Sequence, residues 1–360
     1  MYCAAVTEIP PLPPDARALL TGGTGLVGSH VAERLRADGV AVRALCRTPA
    51  DAGFLEDLGC EVVAGDLSDA ASLAAAVQGV THAVHCAAKV GDWGPVEAYR
   101  AVNVEGTRAL LEALAAEWGP KPDPAARRLV HVSSLGVYEA RDHHGTDESE
   151  PVSLKGIDGY TLTKAESELL VLDGPHGVPL VPATAVRPGF VYGVRDRTVL
   201  PKLLAKLQSG GFAFLGDGEQ LLNNVAAANV ADAVAAALTA PDAVGKAYNL
   251  TDGRLVTRRE FVRVICEAAD LPVPTRSVPL PVARAFAATL ETAFRLMGKD
   301  HAPLLSSARI KFLGLNLDFN IDRAKDDLNY TAEALFHEVM PEAVRWTQAH
   351  AAIDAATDEA

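Results

Sequence analysis

Tyr160 and Lys164 stand four residues apart in the run Tyr160-Thr-Leu-Thr-Lys164, a spacing that sets both side chains on one face of a helix. A phenol with its ordinary pKa of about 10 is too weakly ionised to act as a base at neutral pH. An ammonium one turn away favours the phenolate and is expected to lower that value. Such a pair can give a proton to an oxygen or take one from it. Interconverting a carbonyl and an alcohol needs that proton transfer, together with movement of a hydride. Ser134 ends the run Val132-Ser133-Ser134, directly after an apolar stretch from Arg128 to Val132 that reads as a strand. Its hydroxyl is placed to hold a substrate oxygen and stabilise charge developing there. Pairs spaced like Tyr160 and Lys164 also arise by chance on helix surfaces, so the weight rests on what accompanies them.

The companion is Thr21-Gly22-Gly23-Thr24-Gly25-Leu26-Val27-Gly28. It follows the apolar Ala18-Leu19-Leu20 and opens an amphipathic segment from Ser29 to Ala37. A glycine-rich turn between a strand and a helix cradles the pyrophosphate of a dinucleotide, because the helix start offers unpaired N–H groups and a positive dipole end. Gly22, Thr24, Gly25, Leu26, Val27 and Gly28 are the expected contacts. An acidic residue after the second strand would accept the ribose 2′-OH of NAD, whereas an arginine suits the 2′-phosphate of NADP. Here the sequence is Leu45-Cys46-Arg47-Thr48, with Arg43 upstream and no carboxylate until Asp51. NADP(H) is therefore the preferred cofactor and NAD the other candidate. The alternative is that Arg47 is a solvated charge that only stacks on adenine.

The elements that must position these groups alternate through the first half. Val40–Leu45, Glu61–Val63, His82–His85 and Arg128–Val132 read as strands, and Ser29–Ala37, Ala70–Val77 and Val104–Trp118 as helices. The expectation is an α/β fold: a Rossmann-type doubly wound parallel sheet with a smaller, mostly helical C-terminal substrate domain. Right-handed crossovers then place the ligand at the carboxyl ends of the strands. An extended proline-rich leader is expected over 1–15. The dinucleotide-binding domain would span 16–190 and 225–250, the substrate domain 191–224 and 251–346, and a frayed tail 347–360. Helix Val282–Met297 carries Phe286, Leu290, Phe294 and Met297 along one side, as core packing or as an apolar substrate wall or membrane-surface contact.

Composition excludes several classes. A net charge of −13 leaves no basic stripe for a nucleic-acid partner. Cys3, Cys46, Cys60, Cys86 and Cys266 lack CxxC spacing and read as reduced thiols of a cytoplasmic protein. His143-His144 reads as a solvated loop, and no metal site is expected. No apolar run is long enough to cross a bilayer.

Taken together, these motifs resemble the extended short-chain dehydrogenase/reductase superfamily. The chain looks most like its 3β-hydroxysteroid dehydrogenase and NAD-dependent epimerase/dehydratase group, which includes reductases of long-chain β-keto compounds. The resemblance runs from about Ala16 to Trp346. It rests also on Gly65-Asp66-Leu67, Cys86-Ala87-Ala88, Val102-Asn103-Val104-Glu105-Gly106-Thr107, Arg187-Pro188-Gly189-Phe190-Val191-Tyr192-Gly193, Phe294-Arg-Leu-Met-Gly298 and Ala324-Lys-Asp-Asp-Leu-Asn-Tyr330. It implies catalytic roles for Ser134, Tyr160 and Lys164, with Lys164 also reaching the nicotinamide ribose, and adenine contact by Asp66. It adds cofactor contacts at Leu67, Ala87, Ala88, Pro188, Gly189 and Val191, and a substrate side at Lys89, Trp93 and Tyr192. Asn103 resembles an asparagine that kinks its helix and supports the lysine; a capping asparagine is the alternative. Ala226-Ala227-Ala228-Asn229-Val230 departs from the family's aromatic-Val-Asp-Asn-Val, so the aspartate that anchors a turn near the inter-domain hinge is missing.

The expected activity is interconversion of a secondary alcohol and a ketone on a small hydrophobic substrate. A nucleotide-sugar epimerase or dehydratase is the runner-up, and an NADP(H)-sensing binding protein the third possibility. Leu135-Gly136 stands where dehydratases carry an acidic pair. A homodimer is expected through the helices bearing Leu110, Leu111, Leu114, Leu169 and Leu170, although the same leucines would suit packing on the sheet.

Overall fold

The computed structural model describes residues 9–297 and 306–358. Seven parallel strands form the central sheet: β1 (Arg17–Thr21), β2 (Ala41–Cys46), β3 (Glu61–Ala64), β4 (His82–His85), β5 (Arg128–Val132), β6 (Ala183–Pro188) and, after a long excursion, a strand at Ala247–Leu250. In that excursion lie β7 (Phe190–Tyr192) and β8 (Asn224–Ala226), which pair with each other in parallel, so Ala247–Leu250 is β9. The order across the sheet is β9-β6-β5-β4-β1-β2-β3. The sequence reverses direction beside β1, between β1 and β4. That is the switch point where the loops diverge and leave a crevice at the strand ends.

The strands are runs of Ala, Val and Leu because both faces of the sheet are covered. Helices α1 (Leu26–Ala37) and, late in the chain, Ala227–Ala237 cover one face, with Val31, Leu35, Val230 and Val234 buried there. On the other lie α2 (Gly106–Trp118) and α3 (Gly159–Leu172), and Ala227–Ala237 is therefore α4. Leu110, Leu111, Leu114 and Leu170 are buried against this second face, so the leucines considered for a dimer contact are spent within the monomer. Leu169 is half-buried.

A separate hydrophobic cluster joins Tyr192, Leu200, Leu204, Phe261, Ile265, Phe336 and Met340. It is built on Leu200–Gln208, α5 (Arg258–Ala268) and the last helix, which runs from Phe336 to Asp358. Before that helix comes α6 (Leu280–Leu296), whose buried stripe is Ala283 and Ala287, packed with Leu215 and Ile310. The expected apolar side is not the core face: Phe286 is 57% and Met297 58% exposed. Small alanines let the helix approach its support closely, while Phe286 and Met297 face outward.

His143 also differs from expectation. It is buried in the short strand His143–Thr146, with Nδ1 at 3.0 Å from Thr146 Oγ1 and Nε2 at 3.0 Å from the Glu139 carbonyl, while His144 is exposed. Among the described residues no three His, Cys, Asp or Glu side chains are grouped to hold a metal, and no helix is long and apolar enough to cross a membrane. The described part of the leader packs Ile9 and Leu12 on the sheet core. Gly298 of the C-terminal motif lies outside the described residues.

Candidate active site

The glycine turn runs from the end of β1 into α1. Gly22 has φ +70, and a Cβ there would lie 2.6 Å from the backbone nitrogen of Ala87, the residue just beyond β4. At Gly28 a Cβ would fall 2.1 Å from the Gly22 carbonyl oxygen. Only glycine allows the turn to fold onto the start of its own helix and onto the neighbouring strand end. Gly25 caps α1 without a side-chain hydrogen bond, and Thr24 and Gly25 face solvent. The first N–H groups of the helix are thus left for an anion. Leu26 and Val27 are half-buried, and Ala87 and Ala88 form a shelf where β4 ends. This cradle fits a dinucleotide pyrophosphate.

Arg47 is exposed directly after β2, and Asp66 lies just after β3. The Ser68 hydroxyl and backbone N–H both donate to Asp66 Oδ1, holding its carboxyl below the usual range, and the Arg47 charge adds to that. Leu67 turns inward, where its side chain would meet a Cβ placed on Gly106, so only its backbone is offered to the crevice. Pro188 is buried at the end of β6, and Gly189 and Val191 are half-buried beyond it.

Helix α3 brings Tyr160 and Lys164 to these strand ends. Asp158 caps it by accepting from the Thr161 N–H, which sets Tyr160 in the first turn and Lys164 one turn later. The Ser134 side chain lies beside the Tyr160 hydroxyl and acts to lower its pKa. Ser134 Oγ also accepts from Gly136 N at 3.0 Å, whereas neighbouring Ser133 is buried and its hydroxyl meets no partner among the described residues. The geometry thus separates two adjacent serines that look alike in sequence.

The electrostatics correct one expectation. Protein around the Tyr160 hydroxyl pushes its pKa up to about 12, and the Ser134 side chain only partly offsets this. The Lys164 ammonium donates instead to the Val132 carbonyl at 2.5 Å. Lys164 is itself buried, which brings its pKa down to about 8 against the favourable influence of Cys86 and Glu168. Beneath it, His85 is lowered to about 3 and His131 well below its ordinary value, in both cases by burial and then by Lys164, so both are neutral. Desolvation outweighs the pair attraction that sequence spacing suggests.

Asn103 sits on a π-helical turn, Ala101–Glu105, immediately before α2. Its amide accepts from Lys89 N at 2.7 Å and donates to Lys89 O at 3.1 Å and to Thr163 Oγ1 at 2.9 Å. It therefore steadies the residue before Lys164 and the loop after β4 without touching the lysine side chain. That loop carries the expected substrate side. Lys89 is exposed with its ammonium 5.5 Å from the Tyr99 ring centre, and the Trp93 carbonyl accepts from Tyr99 Oη at 2.7 Å. Trp93 packs edge-on against Phe294 of α6, and Asp92 pairs with Arg309 at 2.6 Å. Tyr99 in turn lies against Gly159, next to Tyr160.

Tyr192 is not placed on that side. It is 2% exposed, its ring packs on Phe261 and Phe336, and its hydroxyl donates to Asp252 at 2.8 Å. Residues to which the motifs assign no role complete the surroundings. Arg187 is buried against Glu168 at 2.5 Å and donates to Tyr138 Oη at 2.6 Å, tying β6 to the helix that carries Tyr160 and Lys164. A charged residue inside each of two otherwise apolar elements was the available signal.

Comparisons with known proteins agree with this architecture. The model of the NAD-dependent epimerase/dehydratase family matches residues 18–251. The chain is 30% identical to the 2-alkyl-3-oxoalkanoate reductase of Shewanella oneidensis, over 90% of this chain and 84% of that one. It is 33% identical to a 3β-hydroxysteroid dehydrogenase/Δ5→4-isomerase of Mycobacterium tuberculosis, over 89% and 86%. Among solved structures it is similar to gox2253, with TM-score 0.76 and 29% identity over 93% and 98% of the two chains. It shares its fold with MoeE5, solved with UDP-glucose and NAD, at TM-score 0.70 and 23% identity over 93% and 99%. The chain is an enzyme of the extended short-chain dehydrogenase/reductase superfamily and belongs to its NAD-dependent epimerase/dehydratase family.

Proposed function

We propose that the protein interconverts a secondary alcohol and a ketone on a hydrophobic substrate of the 3β-hydroxysteroid or long-chain β-keto type, with NADP(H) preferred over NAD(H). The observation that carries this reading is the Tyr160 hydroxyl beside the Ser134 side chain at the strand ends, with Lys164 one turn further along the same helix. The glycine turn would hold a nicotinamide cofactor, which when bound would supply or accept the hydride. Between them the neighbouring Ser134 and Tyr160 side chains would supply the O–H donors that a carbonyl oxygen needs. A hydroxyl that is un-ionised up to a pKa of about 12 is a proton donor at neutral pH, which suits reduction. In the oxidative direction Tyr160 takes the alcohol proton, and Ser134 holds the oxygen as charge develops.

Substrate class is supported by the loop after β4. Val90 is 65% exposed, and Trp93 joins Phe294 to form an apolar face near Tyr99 and Gly159. Two relatives reported above act, by name, on a 3-oxoalkanoate and a 3β-hydroxysteroid. The test is the rate of cofactor oxidation or reduction with a 2-alkyl-3-oxoalkanoate and a 3β-hydroxysteroid, using NADP(H) and NAD(H) in parallel. Turnover that falls by about 10²-fold or more in Tyr160→Phe supports the proposal. Epimerisation of a UDP-sugar without turnover of either hydrophobic substrate would overturn it, as would cofactor binding with no turnover at all.

A further inference from the structure

The missing aspartate at Ala228 leaves the start of α4 without a carboxylate of its own, and Ala226 caps that helix with no side-chain hydrogen bond. A carboxylate reaches the same spot from elsewhere. Asp252 lies two residues past β9, and its Oδ1 accepts from Ala226 N at 2.8 Å and Asn229 Nδ2 at 2.9 Å. Its Oδ2 accepts from Tyr192 Oη and Asn224 Nδ2, both at 2.8 Å. The Asp252 N–H donates to the Asn224 carbonyl at 2.9 Å. The four side-chain contacts come from β7, β8 and the first turn of α4. Negative charge is favourable at such a helix start.

These are the elements that enclose Pro188–Val191. Leu250 of β9 is in register with Pro188, and Tyr192 of β7 is in register with Ala226 of β8. Gly189 N donates to the Leu250 carbonyl at 3.0 Å and Phe190 N to the Asn223 carbonyl at 2.9 Å. The segment is thus suspended between the β9 backbone on one side and β8 on the other. Asp252 belongs to the chain leaving β9 and grips both β7 and β8. Asn229 extends the grip, because its amide also pairs with the Ala334 backbone just before the last helix.

We propose that Asp252 is a positioning residue for the cofactor: its fourfold-bonded carboxylate fixes the Pro188–Val191 segment where β6 ends, and cofactor affinity depends on it. The proposal rests on the assignment of that segment to the cofactor side. Substitution by alanine leaves four donors without their acceptor and frees β7 from β9. Substitution by asparagine retains the two bonds to Oδ1. Its amide can donate to Tyr192 Oη, and to Asn224 Oδ1, which meets no partner in the native arrangement, once the Asn224 amide turns over.

The test is fluorescence titration of the full-length protein with NADPH and NADH, with cofactor KM and kcat measured alongside. Asp252→Ala is expected to weaken cofactor binding about tenfold or more, equivalent to one charge-assisted bond, with kcat at saturating cofactor changed by less than about threefold. Asp252→Asn should recover most of the affinity. A folded Asp252→Ala protein that binds cofactor as tightly as the native one overturns the proposal, as does loss of kcat at unchanged affinity. If Asp252→Ala does not fold, Tyr192→Phe decides, since it removes one donor only: an affinity about two- to fivefold weaker supports the proposal, and native affinity refutes it. Failure of the native protein to bind either nicotinamide would instead remove the cofactor assignment.

Discussion

Replacing Lys164 by methionine should abolish turnover and stabilise the protein. The side chain is 3% exposed and holds a charge at pH 7, because burial has brought its pKa from 10.5 only to about 8. That fall is worth about 3 kcal/mol at ~1.36 kcal/mol per pKa unit, an energy by which the buried ammonium opposes folding. Methionine fills the space without charge but leaves the Val132 carbonyl without its donor, a loss of about 1 kcal/mol. The net gain at pH 7 is about 2 kcal/mol. With an unfolding entropy of ~2.1 cal/mol/K per residue, this raises the Tm of a chain of this length by about 3 °C. The sign depends on pH. Between the folded value of about 8 and the higher unfolded value, the unfolded chain binds more protons. Native stability therefore rises with pH across that window, and the advantage of the variant shrinks towards zero by about pH 10. Thermal unfolding of both proteins at pH 7 and pH 10, read as a difference, isolates this one group. A variant less stable than the native protein at pH 7, or a difference that does not change with pH, would refute the reasoning.

Gly28→Ala places a methyl group 2.1 Å from the Gly22 carbonyl oxygen. Cofactor binding measured by titration should be lost, and Tm should fall with a destabilisation of about 1–3 kcal/mol. Arg47→Asp should move the ratio of kcat/KM for NADPH over NADH by about tenfold or more towards NADH, the worth of one charge-assisted hydrogen bond; an unchanged ratio would leave Arg47 as a solvated surface charge. Because Tyr160 stays protonated up to about 12, kcat/KM for alcohol oxidation should rise close to tenfold per pH unit from pH 6 to 8. Over the same range ketone reduction, which uses the phenol, should stay nearly level.

The parts legible in the sequence are those whose chemistry is local. A glycine turn between an apolar strand and an amphipathic helix depends on contacts a few residues apart, and strands His82–His85 and Arg128–Val132 were readable to the residue. So was the placing of Tyr160 and Lys164 on one helix face. Family motifs located Asn103 and Ser134. What they contact was decided by folding: Asn103 holds Lys89 and Thr163, and Ser134 rather than Ser133 meets Tyr160.

Burial and partner choice depend on residues far along the chain, so the sequence left them open. Lys164 donates to a carbonyl 32 residues away and not to Tyr160, and burial is the largest influence on both pKa values. The family resemblance placed Tyr192 on the substrate side, yet Asp252, 60 residues later, draws it into the core. The leucines of α2 and α3 and the aromatic side of α6 each have two physically reasonable faces to pack against. Helical periodicity shows that a stripe exists, but only the neighbouring elements determine whether it is buried. The sequence by itself determined which chemistry this protein carries; the tertiary structure decided which groups are dry, which are paired and therefore how strongly each holds its proton.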